Sequence, residues 1–149
     1  MESEKIEIAN RVVIFTDIHH FMTVAGDLKD KQHKFLQEFY DILGEIVVKH
    51  GGELIKYVGD GFICIFPSEL AQSAVLCALK MRETFLQMVR RWKLPQEIEL
   101  EVGVSGGKVT VGIFGHSSLR VKDVFGDVVN QAAIICHHRS VAITKWIHE

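Results

Sequence analysis

The stretch ELIKYVGDGFICIF, Glu53 to Phe66, decides the fold. Two strand-like runs, Glu53 to Val58 and Phe62 to Phe66, are separated only by Gly59-Asp60-Gly61. That is the spacing of a β-hairpin with a carboxylate at its tip. On either side of the hairpin the apolar period changes from two residues to three and four. Upstream, Phe35, Leu36, Phe39, Ile42, Leu43, Ile46 and Val47 form a helical stripe that runs to Lys49. His50-Gly51-Gly52 stops it, because glycine accepts the left-handed geometry of a helix end. Downstream, Pro67-Ser68-Glu69 opens a second helix, with Ser68 placed to cap free N–H groups. Its stripe is Ala71, Ala74, Val75, Ala78, Phe85 and Val89, ending near Trp92 and Pro95.

A strand is expected beyond each helix. Arg11 to Asp17, RVVIFTD, is continuously apolar before its final carboxylate and reads as a central strand buried on both faces. Glu97 to Val104 alternates apolar and acidic residues in places. Gly106-Gly107 then reads as a turn into a further strand, Lys108 to Phe114. A short helix over Asp127 to His137 and a last strand over Val141 to Thr144 follow. The expected order is β-α-β-β-α-β-β-α-β. Its first six elements give an α+β fold with a ferredoxin-like βαββαβ core. In that plan helices pack on an antiparallel sheet, here extended by a β-hairpin region.

The whole chain, residues 1–149, reads as one domain without linker or repeat. The apolar fraction is 48% and the charged fraction 24%, enough to build an ordinary core. A formal net charge of -2 and a pI near 6.4 argue against a nucleic-acid partner. The longest unbroken apolar run, Ala74 to Leu79, is far too short to span a membrane, and Met1 to Asn10 lacks the apolar core of a signal peptide. A cytoplasmic location is expected. Cys64, Cys77 and Cys136 are odd in number and widely spaced, so neither a disulfide framework nor a structural zinc site is expected. Cys136-His137-His138 resembles a metal cluster only on paper, since adjacent helical residues point in different directions.

Two aspartates stand out by position. Asp17 ends the first strand and Asp60 tips the hairpin, whose first strand is expected beside the first strand of the sheet. Both carboxylates can then converge at one sheet end. Paired oxygen ligands suit a magnesium ion whose remaining ligands come from substrate phosphates. Alternatively, each aspartate only terminates its strand. Lys56, between Ile55 and Tyr57, needs an acceptor. It either makes a structural salt bridge with Asp123 or faces a purine base together with it. Neither GxGxxG nor GxxxxGK(S/T) occurs in the required context, which disfavours Rossmann and P-loop nucleotide binding.

Four blocks, in order over roughly residues 11 to 135, resemble the catalytic domain of class III adenylate/guanylate cyclases. FTDIHHF (Phe15 to Phe21) resembles the FTDIxGF metal loop, and KYVGDG (Lys56 to Gly61) the KxxGDG hairpin. GVSGGKVTVGIFG (Gly103 to Gly115) is similar to GIHxGxVxxGxxG, and DVFGDVVNQAA (Asp123 to Ala133) to DxxGxxVNxAAR.

The resemblance implies that Asp17 and Asp60 hold two Mg²⁺ or Mn²⁺ ions, with the Ile18 carbonyl as a further ligand. It implies that Lys56 and Asp123 select adenine, so that ATP is the substrate rather than GTP. Phe21 and Gly59, in the same blocks, would contact substrate, and Asn130 would orient the ribose and reacting phosphate. The reaction implied is attack of the ribose 3′-oxygen on the α-phosphate, releasing pyrophosphate. The site would form in an antiparallel homodimer, or in a heterodimer with another cyclase domain. One subunit would give the metal aspartates and the other the base-selecting pair and the asparagine. Three departures stand against full activity. Ile134 occupies the place of the transition-state arginine, and neither His137 nor Arg139 is in register to replace it. His20 replaces the loop glycine. The chain ends at Glu149, before the family's C-terminal hairpin with its phosphate-binding lysine, for which Lys145 is a poor substitute. A catalytically silent module that binds nucleotide or dimerises is therefore the alternative reading.

Overall fold

The computed structural model describes residues 5–137 and 141–144. Arg139 and Lys145, weighed above as phosphate contacts, lie outside the described residues, as does His138. The strands are β1 (Glu7–Ile18), β2 (Glu53–Tyr57), β3 (Gly61–Pro67), β4 (Leu100–His116), β5 (Leu119–Phe125) and β6 (Val141–Ile143). The helices are α1 (Phe21–Leu28), α2 (Gln32–Lys49), α3 (Ala71–Arg91) and α4 (Asp127–Ile135). The sheet order is β2-β3-β1-β4-β5, antiparallel throughout, with β6 added parallel to β4.

This is the ferredoxin-like plan with one correction to the expected neighbours. β1 pairs with β3, the return strand of the hairpin, and β2 lies at the edge. The crossover through α1 and α2 leaves one strand position open beside β1, and the hairpin folds back to fill it. Asp60 still arrives next to Asp17, because Asp17 is opposite Gly61 in the β1–β3 register.

Strand alternation separates two cores. Val12, Ile14 and Ile18 of β1 face α1, α2 and α3, together with Phe62, Cys64 and Phe66 of β3 and Leu100, Val102 and Val104 of β4. There Phe35 packs edge-on against Phe85 and Trp92. Val13 of β1 faces the other way, into a smaller core with Ile63, Ile65, Val109, Val111, Val124, Val128 and Ala132. That second face is covered by α4 and by β5. The run Val12 to Phe15 in β1 is continuously apolar because both its faces are covered.

The expected turn at Gly106-Gly107 is instead the middle of one 17-residue strand, β4. Pairing with β1 continues through Arg11 opposite Gly107 and Val12 opposite Gly106, so the glycines bend the strand without ending it. Twist and bend together carry the distal half of β4 and its partner β5 around toward β2. The two ends of the sheet order consequently meet, through Lys56 with Asp123 and Lys122 with Glu53.

The three cysteines are buried and free. Burial pushes the Cys64 thiol well above its usual range and that of Cys77 up to about 12. Among the described residues no helix is long and apolar enough to cross a membrane.

Candidate functional site

The candidate site lies on the α4 face of the sheet, at the end where β1 stops and the β2–β3 hairpin turns. Val58 and Gly61 exchange backbone hydrogen bonds of 3.0 and 3.1 Å across Gly59 and Asp60. Gly59 takes φ 58°, which the first central position of such a two-residue turn requires. The Tyr40 hydroxyl donates to the Gly59 carbonyl and braces the turn from α2. Gly61 has no room for a side chain: a Cβ there would lie 1.9 Å from the Thr16 carbonyl oxygen. The absence of that side chain lets the hairpin approach the end of β1 closely enough to bring Asp60 to Asp17.

The two carboxyls interact strongly. Asp17 is pushed up to about 7, first by burial, then by the charge of Asp60 and a hydrogen bond with it. His137 pulls in the opposite direction, and Glu101 adds a further upward push. Crowded carboxylates of this kind are poorly matched to each other and well matched to a cation, and their donor set is all oxygen. The residues present therefore fit a divalent metal ion.

Ile18 is buried in the three-helix core, 2% exposed as a whole residue. Phe21 is likewise a core residue, 9% exposed and stacked on Phe35. Its side chain anchors the loop after β1 rather than lining an open surface. Gly59 is exposed at the hairpin tip. His20, in the loop glycine's place, adopts φ 63° and ψ 26°, the left-handed region that a glycine occupies without strain. Its carbonyl accepts from Thr23 N–H at 3.0 Å and starts α1.

Lys56 and Asp123 are joined by a 3.0 Å ion pair between β2 and β5. The local cause is a register shift in β2. Leu54 is opposite Cys64 and Lys56 is opposite Ile63, so one extra residue is accommodated between them. A regular strand would turn Lys56 to the three-helix face. The bulge turns it to the α4 face, alongside Ile55. Asn130 and Ile134 are exposed on α4, one turn apart and so on the same side of the helix.

Glu101 escaped the sequence reading, and His137, set aside there as a metal ligand, is also at this site. Glu101 is directly opposite Asp17 on β4 and is 3% exposed, and His137 follows the end of α4. The His137 Nδ1 is 3.7 Å from Glu101 Oε1 and 4.0 Å from Asp17 Oδ2. The acidic alternation in Glu97 to Val104 was the available signal for Glu101. Such a pattern ordinarily marks a solvated face, and here α4 covers it.

The family model for the adenylate and guanylate cyclase catalytic domain matches residues 4–148. The chain belongs to that family. Among curated relatives, adenylate cyclase 1 of Rhizobium meliloti is 30% identical over 129 residues, covering 80% of this chain and 19% of the relative. The receptor-type guanylate cyclase gcy-19 of Caenorhabditis briggsae is 27% identical over 128 residues, covering 81% of this chain and 10% of the relative. The chain thus spans no more than a fifth of either. The adenylyl cyclase CyaB from P. aeruginosa superposes with a TM-score of 0.89 at 22% identity, covering 97% of this chain and 81% of that one. That likeness is one of fold: the cyclase domain has the same antiparallel sheet with helices packed on it.

Proposed function

We propose that this cyclase domain converts ATP to 3′,5′-cyclic AMP and pyrophosphate. The Lys56–Asp123 pair carries the choice of substrate. A lysine donor and a carboxylate acceptor held 3.0 Å apart offer the two complementary contacts that an adenine edge needs. Relatives include both adenylate and guanylate cyclases, so family membership alone leaves the base open.

Asp17, Asp60 and the Ile18 backbone would hold a pair of Mg²⁺ or Mn²⁺ ions. Bound there with the nucleotide, such ions neutralise triphosphate charge and favour ionisation of the attacking hydroxyl. The chain's own residues do the remaining work. Lys56 and Asp123 bind the base, and Asn130 orients the ribose and the α-phosphate for in-line attack by the 3′-oxygen. The bond formed is O3′ to the α-phosphorus, and pyrophosphate leaves. Ile134 supplies no charge to the developing phosphate anion, and a missing cation at that position costs about 10³-fold or more in rate.

The complete site is composite, formed by two antiparallel copies or by this domain and another of its kind. Exposed Tyr57, Val58, Phe125 and Ile134 leave apolar surface on the elements that carry the base-selecting pair and Asn130. A second reading, a silent module that binds nucleotide and pairs with an active partner, is favoured by the 70% exposure of Ile134 where a cation is needed.

The test is cyclic nucleotide formation by the purified chain with Mn²⁺ and either ATP or GTP, with Asp17→Ala as control. Cyclic AMP above the control, with a preference for ATP that Lys56→Glu erodes, supports the proposal. Metal-dependent ATP binding without product supports the silent module. Equal use of GTP, unchanged by Lys56→Glu, removes the pair from base recognition.

A further inference from the structure

Glu101 is a buried charged group whose carboxylate is only partly partnered. Its side chain is 4% exposed, and while Oε1 is 3.3 Å from His19 Nδ1, Oε2 is buried without a hydrogen-bond partner. A carboxylate oxygen buried without a donor is costly and calls for a positive partner. Around it, one ligand atom each from Asp17, Glu101 and His137 lie within 4.8 Å of one another. These residues come from three separate elements: the end of β1, the start of β4, and the turn after α4.

We infer that Asp17, Glu101 and His137 form a binding site for a borderline transition-metal ion, of the Zn²⁺ or Co²⁺ class, that fills without nucleotide. The donor set distinguishes it from the aspartate pair. Asp17 and Asp60 offer oxygen alone and suit Mg²⁺ completed by phosphates. Two carboxylates and an imidazole suit a metal that accepts mixed nitrogen and oxygen ligands. Three protein ligands also suffice to hold such an ion without a phosphate, leaving a fourth position for water. His19, whose Nδ1 is 3.3 Å from the same Glu101 oxygen that His137 approaches, would orient that carboxylate.

The placement has a structural consequence. Glu101 and Asp17 belong to the sheet, whereas His137 belongs to the end of α4, so the ion would pin that helix to the strands beneath it. Asp17 is common to both sites, so a borderline metal and the nucleotide's metals would compete. That last consequence alone rests on the cyclase reading.

The experiment is titration of the nucleotide-free chain with Co²⁺, read by its visible absorption, followed by displacement with Zn²⁺. One equivalent of Co²⁺ per chain is expected, with a spectrum that Zn²⁺ abolishes. Glu101→Gln and His137→Ala should each weaken binding by at least about tenfold, since even outer partners of a metal site contribute that much. Asp60→Asn should weaken it less than either. His137 is exposed, so its variant folds and remains decisive if Glu101→Gln does not. Absence of a Co²⁺ spectrum in the unmodified chain overturns the inference. So does full retention in His137→Ala alongside loss in Asp60→Asn, which would place the metal at the aspartate pair.

Discussion

Asp17 and His20, three residues apart, each hold a state that their residue type resists. Burial, then the charge of Asp60 and a hydrogen bond with it, push Asp17 up to about 7 from an ordinary value of 3.8. Between those values the folded chain keeps a proton that the unfolded chain has released, so stability falls as pH rises through that window. Asp17→Asn removes the effect. Urea midpoints in EDTA should therefore decline more steeply from pH 4 to 7 in the unmodified protein than in Asp17→Asn; parallel profiles would dismiss the upward push on Asp17. His20 is a different case, one of backbone strain. A β-carbon in the left-handed region costs about 1–2 kcal/mol, partly offset by glycine's greater entropy when unfolded. His20→Gly is expected to raise stability by about 1 kcal/mol in the same denaturation assay. A loss would mean that the ring, 3.7 Å from that of His19, contributes packing that outweighs the strain.

At the scale of elements, the glycines of β4 separate what the sequence shows from what it hides. Their number implies close backbone approach, and the structure identifies what approaches Gly103: a Cβ there would lie 2.1 Å from the Ala132 carbonyl oxygen and 2.9 Å from Cys136 N. α4 rests directly on the strand. Gly103→Ala must lift the helix that carries Asn130, at a cost of about 1–3 kcal/mol for overpacking, and should abolish metal-dependent nucleotide binding as well. Gly26→Ala is the counter-test, because nothing lies within 4 Å of its added carbon in α1, and a stability gain of about 0.5–1 kcal/mol is expected. A thermal melt of both variants checks the two signs. The periodic elements β1, α2, the hairpin and α3 are legible because each has one apolar pattern and clear stops. β5 is not: Leu119, Arg120, Val121 and Lys122 alternate apolar and charged residues, yet all four are exposed, so the alternation marks no buried face. α1 is hidden by its short length, its interior glycine and a start on a left-handed histidine in place of a capping side chain. The bulge that turns Lys56 toward Asp123 leaves no trace in composition, so the pair was legible as two residues and its geometry was not.

For the whole molecule, the candidate groups fall into two sets. Asp17 and Asp60 meet at the end of β1, while Lys56, Asp123 and Asn130 belong to β2, β5 and α4, whose neighbouring surface is apolar and exposed. If the active unit is an antiparallel dimer, each site draws one set from each copy. A chain altered at Asp17 and a chain altered at Asn130 are then separately inactive, for different reasons. Mixed after both are purified, they form a dimer in which one site inherits both defects and the other inherits neither. With random pairing half of the dimers are mixed and each has one intact site, so about one quarter of the unmodified activity should return. Asp17→Ala and Asn130→Ala should be assayed alone and as an equimolar mixture with Mn²⁺ and ATP, beside sedimentation of each sample to establish that dimers form. Recovery near a quarter would place the metal aspartates and Asn130 on opposite subunits. Dimers without recovery would place all of these groups of one site on a single chain, and the exposed apolar surface would then serve association alone.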